Sequence, residues 1–244
     1  MMNILVIVED SKGSTHRMSK EAITAAQKIG GSITALVIGD NANAIADQLS
    51  SVAIEKTLTV KHDLVSSYNS DGYTEVVAQV IKSTNPDMVV IGHTYQTRDF
   101  MPRVSARLDI PFIPDIVEVE QDSYTKQVLN SKLNASIFSS IDMKILSFQS
   151  ACFSEEDLAA GASGSENFDV NLDPSMVRSS SEDPFQESAA EVDLESAELI
   201  VSVGRGIEKE ENIPIAFDLS SALGAEVSAS RPVVDAGWLP SFRQ

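Results

Sequence analysis

Two short runs near the carboxyl end of the chain carry residue types that hold phosphates and electron-rich rings. Gly204-Arg205-Gly206 follows an apolar run over residues 198–203 and precedes a helix-like stretch over 212–223. Ser230-Arg231 follows the next apolar run, 227–229. Glycines let a backbone approach a pyrophosphate, and a guanidinium pairs with it through parallel hydrogen bonds. A hydroxyl beside a guanidinium suits a phosphate or an electron-rich ring. Taken alone, the first run reads as a tight turn with an exposed arginine, and the second as an ordinary strand end. Together they say more. Neighbouring parallel strands would bring Arg205, Ser230 and Arg231 to one crevice, beyond the carboxyl ends of the strands, where α/β sheets bind nucleotides.

Other candidates carry blander readings. Asp235-Ala-Gly-Trp-Leu-Pro240 is turn chemistry around the single tryptophan, Trp238, which reads as core or interface packing before a cofactor cover. His16, His62 and His93 lack metal-like spacing. His93 follows a strand-like run and reads first as a hydrogen-bonded structural histidine. Glu9-Asp10 ends the first apolar run and reads as a cap for the following helix before a ligand contact. The single cysteine, Cys152, makes no internal disulfide and reads as a small apolar residue. No Ser/His/Asp set, Cys/His set or Walker loop is visible.

The elements that must position these residues alternate. Apolar, β-rich runs over 4–8, 33–38, 57–60 and 87–92 predict strands buried on both faces. Helical spacing over 14–29, 43–49, 74–82 and 99–108 predicts helices between and after them, the first ended by Gly30-Gly31. This rhythm predicts a parallel sheet with helices on both faces. Residues 115–120 read as a further strand. Residues 127–133, 135–139 and 144–148 read as strands without long helices between them, hence an antiparallel extension. From 155 to 198 the chain is rich in Ser, Asp and Glu. A solvated loop is expected over 155–164, and short strands are open at 170–172 and 175–178. A second unit begins near Leu194 and holds about one βαβ unit, small for an independent core.

The 244 residues carry a formal net charge of -18 and are 43% hydrophobic, enough for a sizeable core. Such acidity disfavours nucleic acid and anionic lipid as partners. No apolar run reaches the roughly 18 residues that cross a bilayer, so no membrane insertion is expected. A strand begins at once, with no leader visible, so a cytoplasmic protein is expected.

The carboxyl stretch also carries a resemblance. Glu198-Leu-Ile-Val-Ser-Val-Gly-Arg-Gly-Ile207 resembles the start of the FAD domain of electron transfer flavoprotein alpha subunits. Leu223-Gly-Ala-Glu-Val-Ser-Ala-Ser-Arg-Pro-Val-Val-Asp-Ala-Gly-Trp-Leu-Pro240 is similar to the family's next signature. Arg98-Asp-Phe-Met-Pro-Arg-Val-Ser-Ala-Arg-Leu-Asp109 and Pro114-Asp-Ile116 look like its N-terminal domain.

The resemblance implies an α/β chain in two parts. Residues 1–194 would form a doubly wound, mostly parallel sheet of the adenine-nucleotide alpha-hydrolase-like type. Residues 195–244 would form the first part of a Rossmann-like FAD-binding domain. It implies an electron carrier rather than an enzyme, paired with a beta subunit around one FAD. Electrons would come from acyl-CoA dehydrogenases, as in fatty acid beta-oxidation, and go to an electron transfer flavoprotein-quinone oxidoreductase or another acceptor. Carried over by position, Arg205 would contact the FAD phosphates, Ser230 would hydrogen-bond the cofactor and Arg231 would lie over the flavin ring. A permanent positive charge there favours the reduced, anionic ring and raises its potentials. The family continues past the equivalent of Gln244 into a stretch such as Val-Gly-Gln-Thr-Gly-Lys that contacts the flavin. The chain is therefore expected to be C-terminally truncated and to hold FAD weakly or not at all by itself. Two alternatives stand beside this: an adenine-nucleotide module of the universal-stress type, and a purely structural docking domain for a beta subunit.

Overall fold

The computed structural model describes residues 2–120, 123–181, 194 and 197–244. The chain divides into two compact units, Met1–Glu182 and Asp183–Gln244. The sequence puts the boundary between Leu194 and Glu195, and Glu195 lies outside the described residues.

The first unit opens with β1 (Asn3–Val8), a two-residue hairpin of β2 (Asp10–Ser11) and β3 (Ser14–Thr15), and α1 (Arg17–Ile29). There follow β4 (Ser32–Ile38), α2 (Ala42–Leu49), β5 (Lys56–Val60), α3 (Ser70–Thr84), β6 (Met88–Gly92) and α4 (Tyr95–Leu108). Then come β7 (Phe112–Glu120), β8 (Ser123–Val128), β9 (Leu133–Phe138), β10 (Lys144–Phe148) and β11 (Gly164–Asn167). Nine of these strands form one sheet in the order β11-β5-β4-β1-β6-β10-β7-β8-β9. It is parallel from β11 to β7 and antiparallel from β7 to β9.

Strand β1 shows why the sheet is covered twice. Ile4, Val6 and Val8 point into one core with α1 and α2, while Leu5 and Ile7 point into another with α3 and α4. Successive side chains of a strand alternate faces, so an unbroken apolar run needs a helix layer on each side. The doubly wound expectation therefore holds.

Several local expectations are corrected. Helix α1 starts at Arg17 rather than residue 14, because Ser14 and Thr15 pair with Ser11 and Asp10 in the small hairpin. His16 caps the helix, its ring nitrogen accepting from the Met18 N–H at 3.1 Å. Residues 127–133 are mostly a turn, in which Leu129, Asn130 and Ser131 all take positive φ. Residues 144–148 do form a strand, β10, but it is parallel and sits between β6 and β7 inside the sheet. Residues 170–172 and 175–178 form no strand.

The acidic stretch from 155 to 172 is not a free loop. It runs as a belt from one helical layer, around the β11 edge, to the other. Glu155 and Asp157 pair with Lys20 and Lys28 of α1 at 3.0 and 2.8 Å. The Gln27 amide donates to the Ala53 carbonyl and accepts from the Ala159 N–H, at 3.1 and 3.0 Å. On the far side, Gln79 of α3 exchanges two hydrogen bonds with the backbone of Asn171, at 2.8 and 2.9 Å. Phe153 and Leu158 pack on the first core, and Phe168, Val170 and Leu172 on the second. Exposed ion pairs add little. The apolar side chains packed on the two cores and the glutamine clamps hold the belt.

The second unit is β12 (Ile200–Val203), α5 (Ile213–Leu223), β13 (Glu226–Ala229) and the one-turn helix α6 (Arg231–Asp235). The two strands are parallel. Gly224 ends α5 in the left-handed conformation, φ 65°, which a residue without a Cβ adopts without strain. Val203, Ile213, Ala216, Val227, Ala229, Val233 and Leu239 form its small core.

Candidate functional site

The parallel register of β12 and β13 pairs Val203 with Ala229. The two strands therefore end level, and the Ser230 N–H closes the ladder on the Val203 carbonyl at 2.9 Å. Beyond that bond lie Gly204-Arg205-Gly206 on one strand and Ser230-Arg231 on the other. Their backbones meet at one edge of the second unit.

Each group there is available. Arg205 opens a 3-10 turn over Arg205–Ile207 and is exposed, and no ion pair to it occurs among the described residues. Ser230 holds the N-cap position of α6, yet its side chain makes no capping hydrogen bond. Its exposed hydroxyl has no hydrogen-bond partner among the described residues. Arg231 is exposed and faces Asp235 one turn along, Nε to Oδ2 at 3.5 Å.

The local fold does not require glycine at 204 or 206. Neither Gly204 nor Gly206 has a φ in the left-handed range, and a Cβ added to either would meet nothing within 4 Å. Neither backbone strain nor crowding requires glycine there. Glycine at such positions leaves the main chain open to close approach by a ligand. Two guanidinium groups, one free hydroxyl and bare backbone suit a dinucleotide with its phosphates and rings.

Trp238 is partly buried against the core of the second unit, in keeping with its packing reading.

The carboxyl edge of the first sheet is different. Its order reverses between β1 and β6, the crevice where a nucleotide would sit. Glu9 fills it. That carboxylate is buried and accepts hydrogen bonds from Thr94 and, at 3.2 Å, Thr97, at the start of α4. Burial pushes its pKa up, against the two hydroxyl hydrogen bonds. Glu9 therefore ties β1 to α4 and does not cap α1, contrary to the capping expectation. Asp10 caps the hairpin turn instead, accepting from the Gly13 N–H at 2.6 Å. A buried carboxyl with acidic Asp10 beside it is a poor seat for phosphate, which disfavours the adenine-nucleotide alternative.

A Ser/His/Asp set, not visible in the sequence, is assembled from the residue after β6, from β10 and from the interior of β7. The Ser147 hydroxyl of β10 lies 2.8 Å from His93 Nδ1, and His93 Nε2 lies 3.9 Å from Asp115 Oδ1 of β7. The Asp115 N–H donates to the Ser147 oxygen at 3.3 Å. The tautomer with its proton on Nε2 would accept from Ser147 at Nδ1 and face that proton toward the Asp115 carboxylate. Ser147 is fully buried and reaches no substrate, so the set is structural. The signals in the sequence were His93 after a strand-like run, read as a hydrogen-bonded structural histidine, and the hydroxyl of Ser147 between Leu146 and Phe148.

Burial holds His93 below the ordinary imidazole value. The Asp115 carboxylate opposes this, and Arg98 and Lys126 add to it. An unfolded histidine titrates near about 6.5. With the folded value lower, the stability His93 contributes is complete above the unfolded value and is lost as pH falls from there through the folded one. The urea midpoint should therefore fall on acidification below about pH 6.5, and fall less in His93→Gln. Parallel pH profiles for the two proteins would contradict this.

Comparison with known proteins decides between the readings. A family model described as the electron transfer flavoprotein domain matches residues 4–171. Another, described as the electron transfer flavoprotein FAD-binding domain, matches residues 193–244. The chain belongs to the electron transfer flavoprotein family. The electron transfer flavoprotein alpha subunit of Bacillus subtilis is 30% identical over 242 residues, covering 96% of this chain and 74% of that protein. The alpha subunit of Pseudomonas aeruginosa is 29% identical over 245 residues, covering 100% and 78%. That of Syntrophomonas wolfei is 26% identical over 243 residues, covering 98% and 76%. The chain thus has an electron transfer flavoprotein alpha role. It is an electron carrier rather than an enzyme, and its cofactor is FAD. FAD, when bound, supplies the electron storage. The protein supplies its seat and the surrounding charge. No helix among the described residues is long and apolar enough to cross a membrane.

Proposed function

We propose that this chain pairs with a beta subunit and seats FAD at the carboxyl ends of β12 and β13. Arg205 would meet the phosphates, Ser230 would hydrogen-bond the cofactor and Arg231 would lie over the flavin ring. The observation that carries this reading is the Ser230 N–H bond to the Val203 carbonyl, which draws both runs to one edge. The glycines that the fold itself does not need support it. Residues 1–194 would form the N-terminal domain and 195–244 the FAD-binding part.

A beta subunit is supported by apolar surface that water alone would not favour. Leu133 and Phe138 are 58% and 72% exposed on β9, the edge strand of the large sheet. In the second unit Ile215, Leu219 and Leu223 form an exposed stripe along α5. Because Arg205, Ser230 and Arg231 are all exposed, they bury little of a dinucleotide by themselves. The chain alone would hold FAD weakly, and the heterodimer would hold it firmly. The electrons would come from acyl-CoA and related dehydrogenases of fatty acid beta-oxidation and leave to an electron transfer flavoprotein-quinone oxidoreductase, with this chain in the cytoplasm.

The test is to purify the chain alone and with its beta subunit in excess FAD, then add acyl-CoA and an acyl-CoA dehydrogenase without oxygen. The complex is expected to keep its yellow absorbance and then bleach. Flavin retained equally by the chain alone would overturn the shared seat. Retention without bleaching would overturn the dehydrogenase assignment.

A further inference from the structure

The two guanidinium groups at the proposed FAD seat are not equivalent. Arg205 has no ion pair among the described residues, whereas Arg231 faces the Asp235 carboxylate at 3.5 Å. The pair lies on the exposed side of α6, with side-chain exposures of 76% and 65%. The opposite side of that single turn is pinned. Val233 is buried in the core of the unit, and the Trp238 N–H bonds the Val233 carbonyl at 3.2 Å. Arg231 and Asp235 are therefore held one turn apart on the same outward face, where an i,i+4 pair meets.

A free guanidinium suits a group that is always an anion, such as a phosphate. A guanidinium already paired with a carboxylate suits a group whose charge changes, because part of its positive field is cancelled. We propose that Asp235 is a positioning residue that sets how much of the Arg231 charge the flavin ring feels. This rests on the reading that Arg231 meets the ring. With Asp235 in place, the neutral oxidised ring faces a nearly neutral ion pair. Without it, the full cationic charge faces the ring and favours the reduced, anionic form. Asp235 thus holds the flavin potential down. It also competes with the cofactor for Arg231 before FAD arrives.

The experiment uses the complex of this chain with its beta subunit, loaded with FAD. Its midpoint potential is read by reductive titration, and its FAD affinity by fluorescence. Asp235→Asn is expected to raise the potential and to tighten FAD binding about two- to fivefold, the scale of one exposed ion pair. Asp235→Glu, which keeps the charge, should stay near the parent. In an Arg231→Ala background, Asp235→Asn should have no effect on either quantity. If Arg231→Ala shifts the potential but Asp235→Asn leaves it unchanged or lowers it, this inference fails and the seat survives. If Arg231→Ala changes neither potential nor affinity, the seat itself fails. Should Asp235→Asn fold poorly, Asp235→Ser at the same position reads the same shift.

Discussion

Replacing Arg231 with alanine should weaken FAD binding to the complex by about tenfold, since a desolvated cation–ring contact contributes roughly 1–2 kcal/mol. It should also lower the flavin potential, because the positive charge that favours the reduced ring is gone. Arg231→Lys keeps the charge but loses the flat guanidinium, so it should recover the potential better than the affinity. Fold stability should barely move. Arg231 is exposed and its one ion pair, to Asp235, is a surface pair. The measurement is a redox titration beside a denaturation curve. An unchanged potential with an unchanged denaturation midpoint would remove Arg231 from the ring.

The second large effect concerns Gly204 and Gly206. A double Gly204→Ala/Gly206→Ala variant should unfold within about 0.5 kcal/mol of the parent, as surface substitutions away from special features do. Neither glycine has a left-handed φ, and an added Cβ meets open space at both. FAD retention should nevertheless drop by more than tenfold, about 1.4 kcal/mol, because the methyl groups would stand where the proposed seat brings the phosphates to the backbone. This combination separates a ligand-facing glycine from a structural one. By contrast, Gly31 has φ +140 and an added Cβ would lie 2.4 Å from the Met2 carbonyl oxygen, so Gly31→Ala should damage folding. Normal flavin content in the double variant would mean that the cofactor does not approach this loop.

Much of the frame was legible because it depends on local pattern. The runs over 4–8, 33–38 and 87–92 are apolar on consecutive residues, and only a sheet covered on both faces buries them. The meeting of the 204–206 and 230–231 runs at one edge was legible for the same reason. Arg205 and Ser230 each follow a short β run within one βαβ unit, and parallel pairing makes such ends level. What could not be read depends on partners distant in sequence. Strand β10 looks like another hairpin strand, but its neighbours Met88 and Phe112 lie far back in the chain. Residues 155–164 look solvated by composition. Their charges are met by Lys20 and Lys28, and their backbone by Gln27, more than a hundred residues earlier. Ser147, His93 and Asp115 come together only because β10 is inserted between β6 and β7. Glu9 misled in the other direction, since its place after β1 suggests a cap and only the approach of α4 turns it inward.

The most direct test is hydrogen–deuterium exchange of the chain in complex with its beta subunit, with and without FAD. If the ends of β12 and β13 hold the cofactor, FAD should slow exchange at the amides of 204–207 and of Ser230, Arg231 and Val233. The amides of 9–13 and 93–97, at the crevice that Glu9 fills, should exchange as before. Slowing confined to that crevice in the first unit, with 204–207, Ser230, Arg231 and Val233 unaffected, would contradict the assignment.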